Sequence, residues 1–266
     1  MELVKIIALF NAALIAGALN SVAGGGSFIS FPTLLLTGVP SINANATNTI
    51  ALWPGSVASV GAYRQELTAQ RRVILPFSAI SILGGLIGAV ILLNTPPITF
   101  EHLIPFLLLF ATLLFTFGGT AGKWVRTRFG QSIPVGAEEG APKGHESRPR
   151  LIVVGLLQFV TAVYGGFFGG GIGIVMLALL SVLDIGTIHE MNALKVLLAT
   201  FINGVAVVAF VLAGVVYWAQ ALLMIVGAVL GGYFGAYYAR KLNPLLVRRF
   251  VIVVGFVMTA YFFIRG

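Results

Sequence analysis

Apolar residues run along this chain in blocks of membrane-helix length. The clearest lie at 73–93, 102–118, 196–216, 221–239 and 245–264, and each approaches or reaches the roughly 20 residues a helix needs to cross hydrocarbon. Two shorter blocks break the pattern. "SVAGGGSFISFPTLLLTG" (21–38) and "GGFFGGGIGIVMLALL" (165–180) each set a glycine cluster ahead of an apolar stretch of roughly 12 to 15 residues, too short to cross as a straight helix. Open strands would leave backbone groups unsatisfied in lipid, and the runs lack the alternation of a membrane barrel. The pattern predicts an all-α membrane protein.

One long hydrophilic stretch, 119–150, "GTAGKWVRTRFGQSIPVGAEEGAPKGHESRPR", divides the chain into a first membrane repeat, 1–118, and a second, 151–266. The halves are weakly alike. Gly84, Gly85, Gly88 and Ala89 align with Gly231, Gly232, Gly235 and Ala236 at an offset of 147, which also superposes Asn45 and Ala46 on Asn192 and Ala193. The glycine clusters follow after a two-residue shift, as in the internal repeats of transporters.

Loop charges orient the halves. Arg64, Arg71 and Arg72 lie in the first-half loop 64–72, while 94–101 has no Lys or Arg. In the second half the order reverses: 214–220 is uncharged, and 240–249 carries Arg240, Lys241, Arg248 and Arg249. Because basic loops stay on the cytoplasmic side, equivalent loops face opposite sides. The expected architecture is two inverted five-segment helical repeats. The segments fall at about 3–22, 27–38, 46–63, 73–93 and 102–118 with counterparts from 151, joined by a cytoplasmic linker at 119–150, with short broken or re-entrant half-helices at the glycine clusters. Lys5 ahead of the first apolar stretch gives it the look of a signal peptide, but its second-half counterpart argues for a retained span.

Composition agrees. The 266 residues are 58% hydrophobic and 9% charged, against about 25% charged in soluble domains. The net charge of +8 is scattered over loops without a basic aromatic patch, so the expected partner is the lipid bilayer of the cell (inner) membrane, not nucleic acid. The absence of cysteine excludes disulfides and thiolate chemistry. His102, His145 and His189 are unpaired at helical spacing, so neither a metal, a cofactor nor an enzyme is expected.

The glycine clusters suggest chemistry. A helix that begins inside the membrane exposes unpaired N–H groups and the positive end of its dipole, which attract an anion. Gly24, Gly25 and Gly26, with the Ser27 hydroxyl, and Gly169, Gly170 and Gly171 are the candidate substrate-binding turns; glycine permits close approach. Simple helix packing is the alternative, and it is the reading taken for Gly84, Gly88, Gly231 and Gly235, which sit at the four-residue packing spacing.

Polar side chains that open the third segment of each half join the list. "NANATNT" (43–49) supplies Thr47 and Asn48, and its counterpart "HEMNALK" (189–195) places Lys195 opposite Asn48. A lysine beginning an apolar helix is a candidate to pair an anionic substrate. Snorkelling towards interfacial water is the equal alternative, since Glu190 lies about 7.5 Å away along the axis. For Thr47 and Asn48 the alternative is capping and interhelical hydrogen bonding. Trp53, Tyr164, Phe167 and Phe168 are read as packing or interface aromatics, with a gate as the alternative.

The stretch "NSVAGGGSFISFPTLLLTGVPSINANATNTIAL" followed by "GGFFGGGIGIVMLALL" resembles the sulfite exporter TauE/SafE family, over essentially the whole chain. The resemblance implies transport of small sulfur-containing anions such as sulfite, sulfonates or related organic acids, and carries over Gly24 to Gly26, Ala46 to Asn48 and Gly169 to Gly171. "MNALK" departs from the family's pattern. The expected function is a secondary transporter, an exporter working by alternating access: moving one negative charge out of an inside-negative cell gains about 2.3 kcal/mol per 100 mV without a coupled cation. The alternatives are a cation-coupled importer of a small carboxylate or sulfonate, and a non-transporting membrane assembly partner.

Overall fold

A computed structural model of the protein describes residues 2–22, 25–68, 71–129, 148–183, 188–239 and 244–265. Among these the regular structure is entirely helical. In the first half run α1 (Leu3–Val22), α2 (Ser27–Leu36), α3 (Ser41–Ala62), the single turn α4 (Arg64–Thr68), α5 (Arg71–Asn94) and α6 (Pro97–Phe129). In the second run α7 (Arg148–Phe167), α8 (Ile172–Val182), α9 (Ile188–Leu212), α10 (Trp218–Ala239) and α11 (Pro244–Arg265). Among the described residues six helices are long and apolar enough to cross a membrane: α1, α5, α6, α9, α10 and α11. The protein is a multi-pass, all-helical membrane protein.

Two helices are half-length. α2 has 10 residues and α8 has 11, about 15 Å at 1.5 Å per residue, half the hydrocarbon thickness. Each follows glycines in a left-handed conformation: Gly25 has φ 86°, Gly169 φ 82° and Gly171 φ 77°. Gly38, at φ 91°, ends α2; its N–H reaches Leu35 O and Val39 N reaches Leu34 O at 3.1 Å. These paired bonds satisfy the last carbonyls and stop the helix.

Contact registers fix the helix senses. Gly227 and Gly231 of α10 meet the backbone of Phe10 and Leu14 in the same order, so α1 and α10 run parallel. Gly84 and Gly88 of α5 likewise meet Phe159 and Val163 of α7. A Cβ on Gly231 or Gly88 would run into the Leu14 or Val163 carbonyl, so these glycines serve close helix packing. α3 and α9 run antiparallel: Asn43 Nδ2 donates to Val215 O, just beyond the end of α9, whereas Trp53 Nε1 donates to Thr200 O nearer its middle. α1 therefore packs along α10 and α7 along α5, each half's first helix embracing the other half's fourth segment.

Boundaries shift in two places. α3 starts at Ser41, not 46, because Pro40, at φ −55° and ψ 149°, leaves the chain extended just before it. The run 43–49 thus lies within the helix instead of opening it. α6 continues past 118 to Phe129, so the polar stretch 119–150 begins as helix. Ala, Lys and Arg in "AGKWVRTR" are good helix formers, so the helix can continue through this polar run.

Candidate functional site

The first glycine turn is held among side chains from five helices, α1, α2, α3, α6 and α11. Ser30 Oγ, one turn into α2, donates to Asn48 Oδ1 of α3 at 2.5 Å, and Asn48 Nδ2 donates to Ser27 Oγ at 3.3 Å. Ser30 is fully buried and Asn48 nearly so. Asn48 thus bridges the first turn of α2. Asn48 stands seven positions into α3, about 10 Å along its axis, so α2 begins well inside the bundle. Gly26 N donates to Asn20 Oδ1 of α1 at 2.8 Å, which occupies one helix-start donor with a protein oxygen. A Cβ on Gly26 would strike the Ala16 carbonyl, and one on Gly25 would come within 2.7 Å of Val251 and 3.0 Å of Phe115. Gly24 lies outside the described residues.

The second turn is built differently. α7 ends where Phe168 N and Gly169 N both donate to Tyr164 O, at 2.9 and 3.2 Å. Tyr164 Oη donates to Gly170 O at 2.8 Å and fixes the loop from outside. Gly170 and Gly171 face α6, where a Cβ would lie 3.1 Å from Ala111 Cβ and 3.4 Å from Ala111 O respectively. Gly171 precedes α8 and, being glycine, offers no side chain to cap it. Beside that first turn lies Lys195: a Cβ on Gly173 would be 3.5 Å from its Cδ. Its amine turns back to donate to Asn192 Oδ1 at 3.1 Å.

The same relation holds twice. Asn48 of α3 and Lys195 of α9, aligned at the offset of 147, each border the first turn of their own half's short helix. The halves meet here as well. Phe31 of α2 and Phe168 of the second turn stack edge to face with centroids 5.6 Å apart, and Asn45 Nδ2 of α3 donates to Phe167 O at 3.0 Å. Thr47 does not enter this set; its Oγ1 accepts the Tyr217 N–H at 3.1 Å and ties α3 to the α9–α10 connection.

Asn20 and Ser30 were missed from sequence. Ser30 had a faint signal, standing four residues after Gly26 on one helical face; Asn20 had none, because its role depends on α1 ending beside the glycine turn. A cavity of about 490 Å³ lies elsewhere, in the α5–α7 seam, and none of the expected site residues lines it. Among the described residues no cluster of His, Asp and Glu is placed to hold a metal.

These features define a multi-pass membrane protein with two half-length helices that start at glycine turns inside the bundle. The chain belongs to the sulfite exporter TauE/SafE family, whose model matches residues 9–262, and is a membrane transporter of that family. It is 28% identical over 255 residues to a "Probable membrane transporter protein" of Haemophilus influenzae, covering 95% of this chain and 92% of that one. It is also 28% identical over 254 residues to the "Probable membrane transporter protein YfcA" of Escherichia coli K12, covering 95% and 87%. The "Probable membrane transporter protein ORF9" of a Sinorhizobium species is 28% identical over 248 residues, covering 92% and 87%. No solved structure is a significant match.

Proposed function

We propose that the protein exports small sulfur-containing anions, sulfite or a sulfonate, across the cell membrane by alternating access. The architecture proposed for this is a pair of inverted repeats with re-entrant half-helices, supported by the senses of the helices: α3 and its counterpart α9 run antiparallel, while α1 pairs with α10 and α7 with α5. Inverted repeats place substrate near the midplane, where broken helices aim their N-termini at it. The family name supplies the substrate class.

The observation that carries the reading is the equivalent placement of Asn48 and Lys195 beside the two short-helix starts. α8 offers N–H donors and the positive end of its dipole, and Lys195 supplies a full charge beside them. The α2 turn offers neutral donors from Ser27 and Asn48. An oxyanion released from Lys195 passes between the two turns as one group of helices rocks against the other, opening the site to each side in alternation. The Phe31–Phe168 pair, which joins α2 to the second turn, is assigned as the gate.

Efflux of radiolabelled sulfite from proteoliposomes under an imposed potential tests this. Efflux faster when the lumen is negative, and abolished in Lys195→Gln, is the expected result. Flux insensitive to the sign of the potential defeats electrogenic export, and an unaltered Lys195→Gln defeats the site.

A further inference from the structure

The α5–α7 seam carries a second feature that anion transport does not use. Its apolar cavity of about 490 Å³ is lined by Val73, Phe77 and Ile80 of α5 and by Ile152, Gly155 and Leu156 of α7. The size falls within the range of roughly 300–1,000 Å³ typical of small-molecule sites. The walls face outward: Ile152 is 63% and Leu156 64% exposed at the bundle surface, the side that meets lipid. Gly155 faces Ile80 across the cleft, where a Cβ would make ordinary contact with Cδ1 at 3.4 Å.

Basic positions open both helices of the seam. α5 and α7 run parallel, with Gly155 beside Ile80 and Gly84 beside Phe159 and Ala162, so their first turns share one end of the groove. Arg71 and Arg72 open α5, and Arg148 and Arg150 open α7; no acidic residue lies in either first turn. Four arginine positions therefore stand at the helix starts that share this end, next in sequence to the lining residues Val73 and Leu151. The counterpart seam is different: α1 begins Leu-Val-Lys after Glu2, and Lys5 pairs with Glu2 at 3.8 Å, while α10 begins with uncharged Trp-Ala-Gln.

We infer that this groove is a binding site for an anionic phospholipid of the cytoplasmic leaflet, an acyl chain filling the cleft and the phosphate headgroup meeting the arginines. Basic residues at a membrane surface attract anionic lipid by about 1 kcal/mol each, a factor of about five. The apolar cleft alone would accept any acyl chain, so the arginines make the site selective. The lipid would bridge α5 and α7 along the seam next to Gly84 and Gly88, where the two halves embrace.

The test uses the full protein in detergent with phosphatidylglycerol or phosphatidylcholine as probe, read by native mass spectrometry and thermal unfolding. The wild type is expected to retain phosphatidylglycerol in preference and to unfold at higher temperature with it, whereas glycerol phosphate without chains has no effect. Arg71→Gln with Arg72→Gln is expected to reduce the preference about thirtyfold, and adding Arg148→Gln and Arg150→Gln to abolish it. Gly155→Leu, which fills the cleft, is expected to weaken both lipids alike; should it fail to fold, the arginine variants still decide the matter. Equal retention of both lipids by the wild type, or a preference unchanged in the four-arginine variant, overturns the inference. Transport by Lys195→Gln does not enter this readout.

Discussion

Trp53 Nε1 donates to the backbone carbonyl of Thr200 at 3.1 Å, and those two positions are each other's counterparts, separated by the same 147 residues that align the glycines of α5 and α10. The bond ties α3 to α9 at matching positions of the two helices. The indole also fills the notch at Gly204, where a Cβ would lie 3.3 Å from the ring. Asn48 and Lys195 stand five positions before this crossing on their respective helices, which run in opposite directions.

Trp53→Phe keeps most of the ring and removes the donor. Interhelical hydrogen bonds in membranes average about 0.6 kcal/mol, so a loss of roughly that size is expected in detergent unfolding. Gly204→Val, which drives a branched side chain into the indole, is expected to cost more than Trp53→Phe.

Gly231→Ala and Gly88→Ala place a methyl against the carbonyls of Leu14 and Val163. Backbone cannot rotate aside, so the paired helices must separate. Overpacking of this kind costs about 1–3 kcal/mol. Lower folded yield by gel filtration is expected for both, whereas Gly38→Ser, at a turn with open space around it but φ of 91°, is expected to cost only local strain.

Lys195→Gln removes a charge while keeping a polar group near Asn192 and the Gly173 turn. Hydrogen bonds to charged groups contribute about 1.5–3 kcal/mol, so sulfite affinity by isothermal titration is expected to fall tenfold or more with the unfolding temperature little changed. Snorkelling alone would leave affinity intact, and the same titration detects that.

Asn48→Asp separates fold from function. The carboxylate still accepts the Ser30 hydroxyl, so helix packing survives, but it loses the donor to Ser27 and sets a negative charge beside the first turn of α2. Anion uptake into proteoliposomes is expected to collapse while folded yield is retained. Asn48→Ala, by contrast, deprives both serines and is expected to lower stability as well.

Arg248 of α11 donates through Nε and Nη2 to Phe115 O, at 3.2 and 3.0 Å, and through Nη2 to Thr116 O at 3.1 Å. Only a guanidinium reaches two successive carbonyls in this way. Arg248→Lys is expected to loosen α11 from α6, read as faster hydrogen exchange in α11, although the charge is kept.

Much of this was legible before any coordinates. Spacing of the apolar blocks gave the long spans, because in lipid a helix must satisfy its own backbone and a fixed thickness sets its length. Glycine triplets announced the breaks at α2 and α8, since left-handed φ at Gly25, Gly169 and Gly171 suits no other residue as well. The packing role of Gly84, Gly88 and Gly231 was likewise visible in their spacing. The partner of the Thr47 hydroxyl, the Tyr217 N–H, was not legible: it is 170 residues away, beyond the reach of any local pattern.

Sequence by itself determined that the chain is an all-helical membrane protein with short helices after its glycine clusters, because hydropathy, length and backbone freedom are properties of neighbouring residues. Only the tertiary structure decided that Asn48 and Lys195 border the two helix starts, that Asn20 occupies the Gly26 N–H, and that α5 and α7 enclose an apolar cleft. Those relations join helices far apart in the chain, and they exist only once crossing angles and glycine contacts set which faces meet.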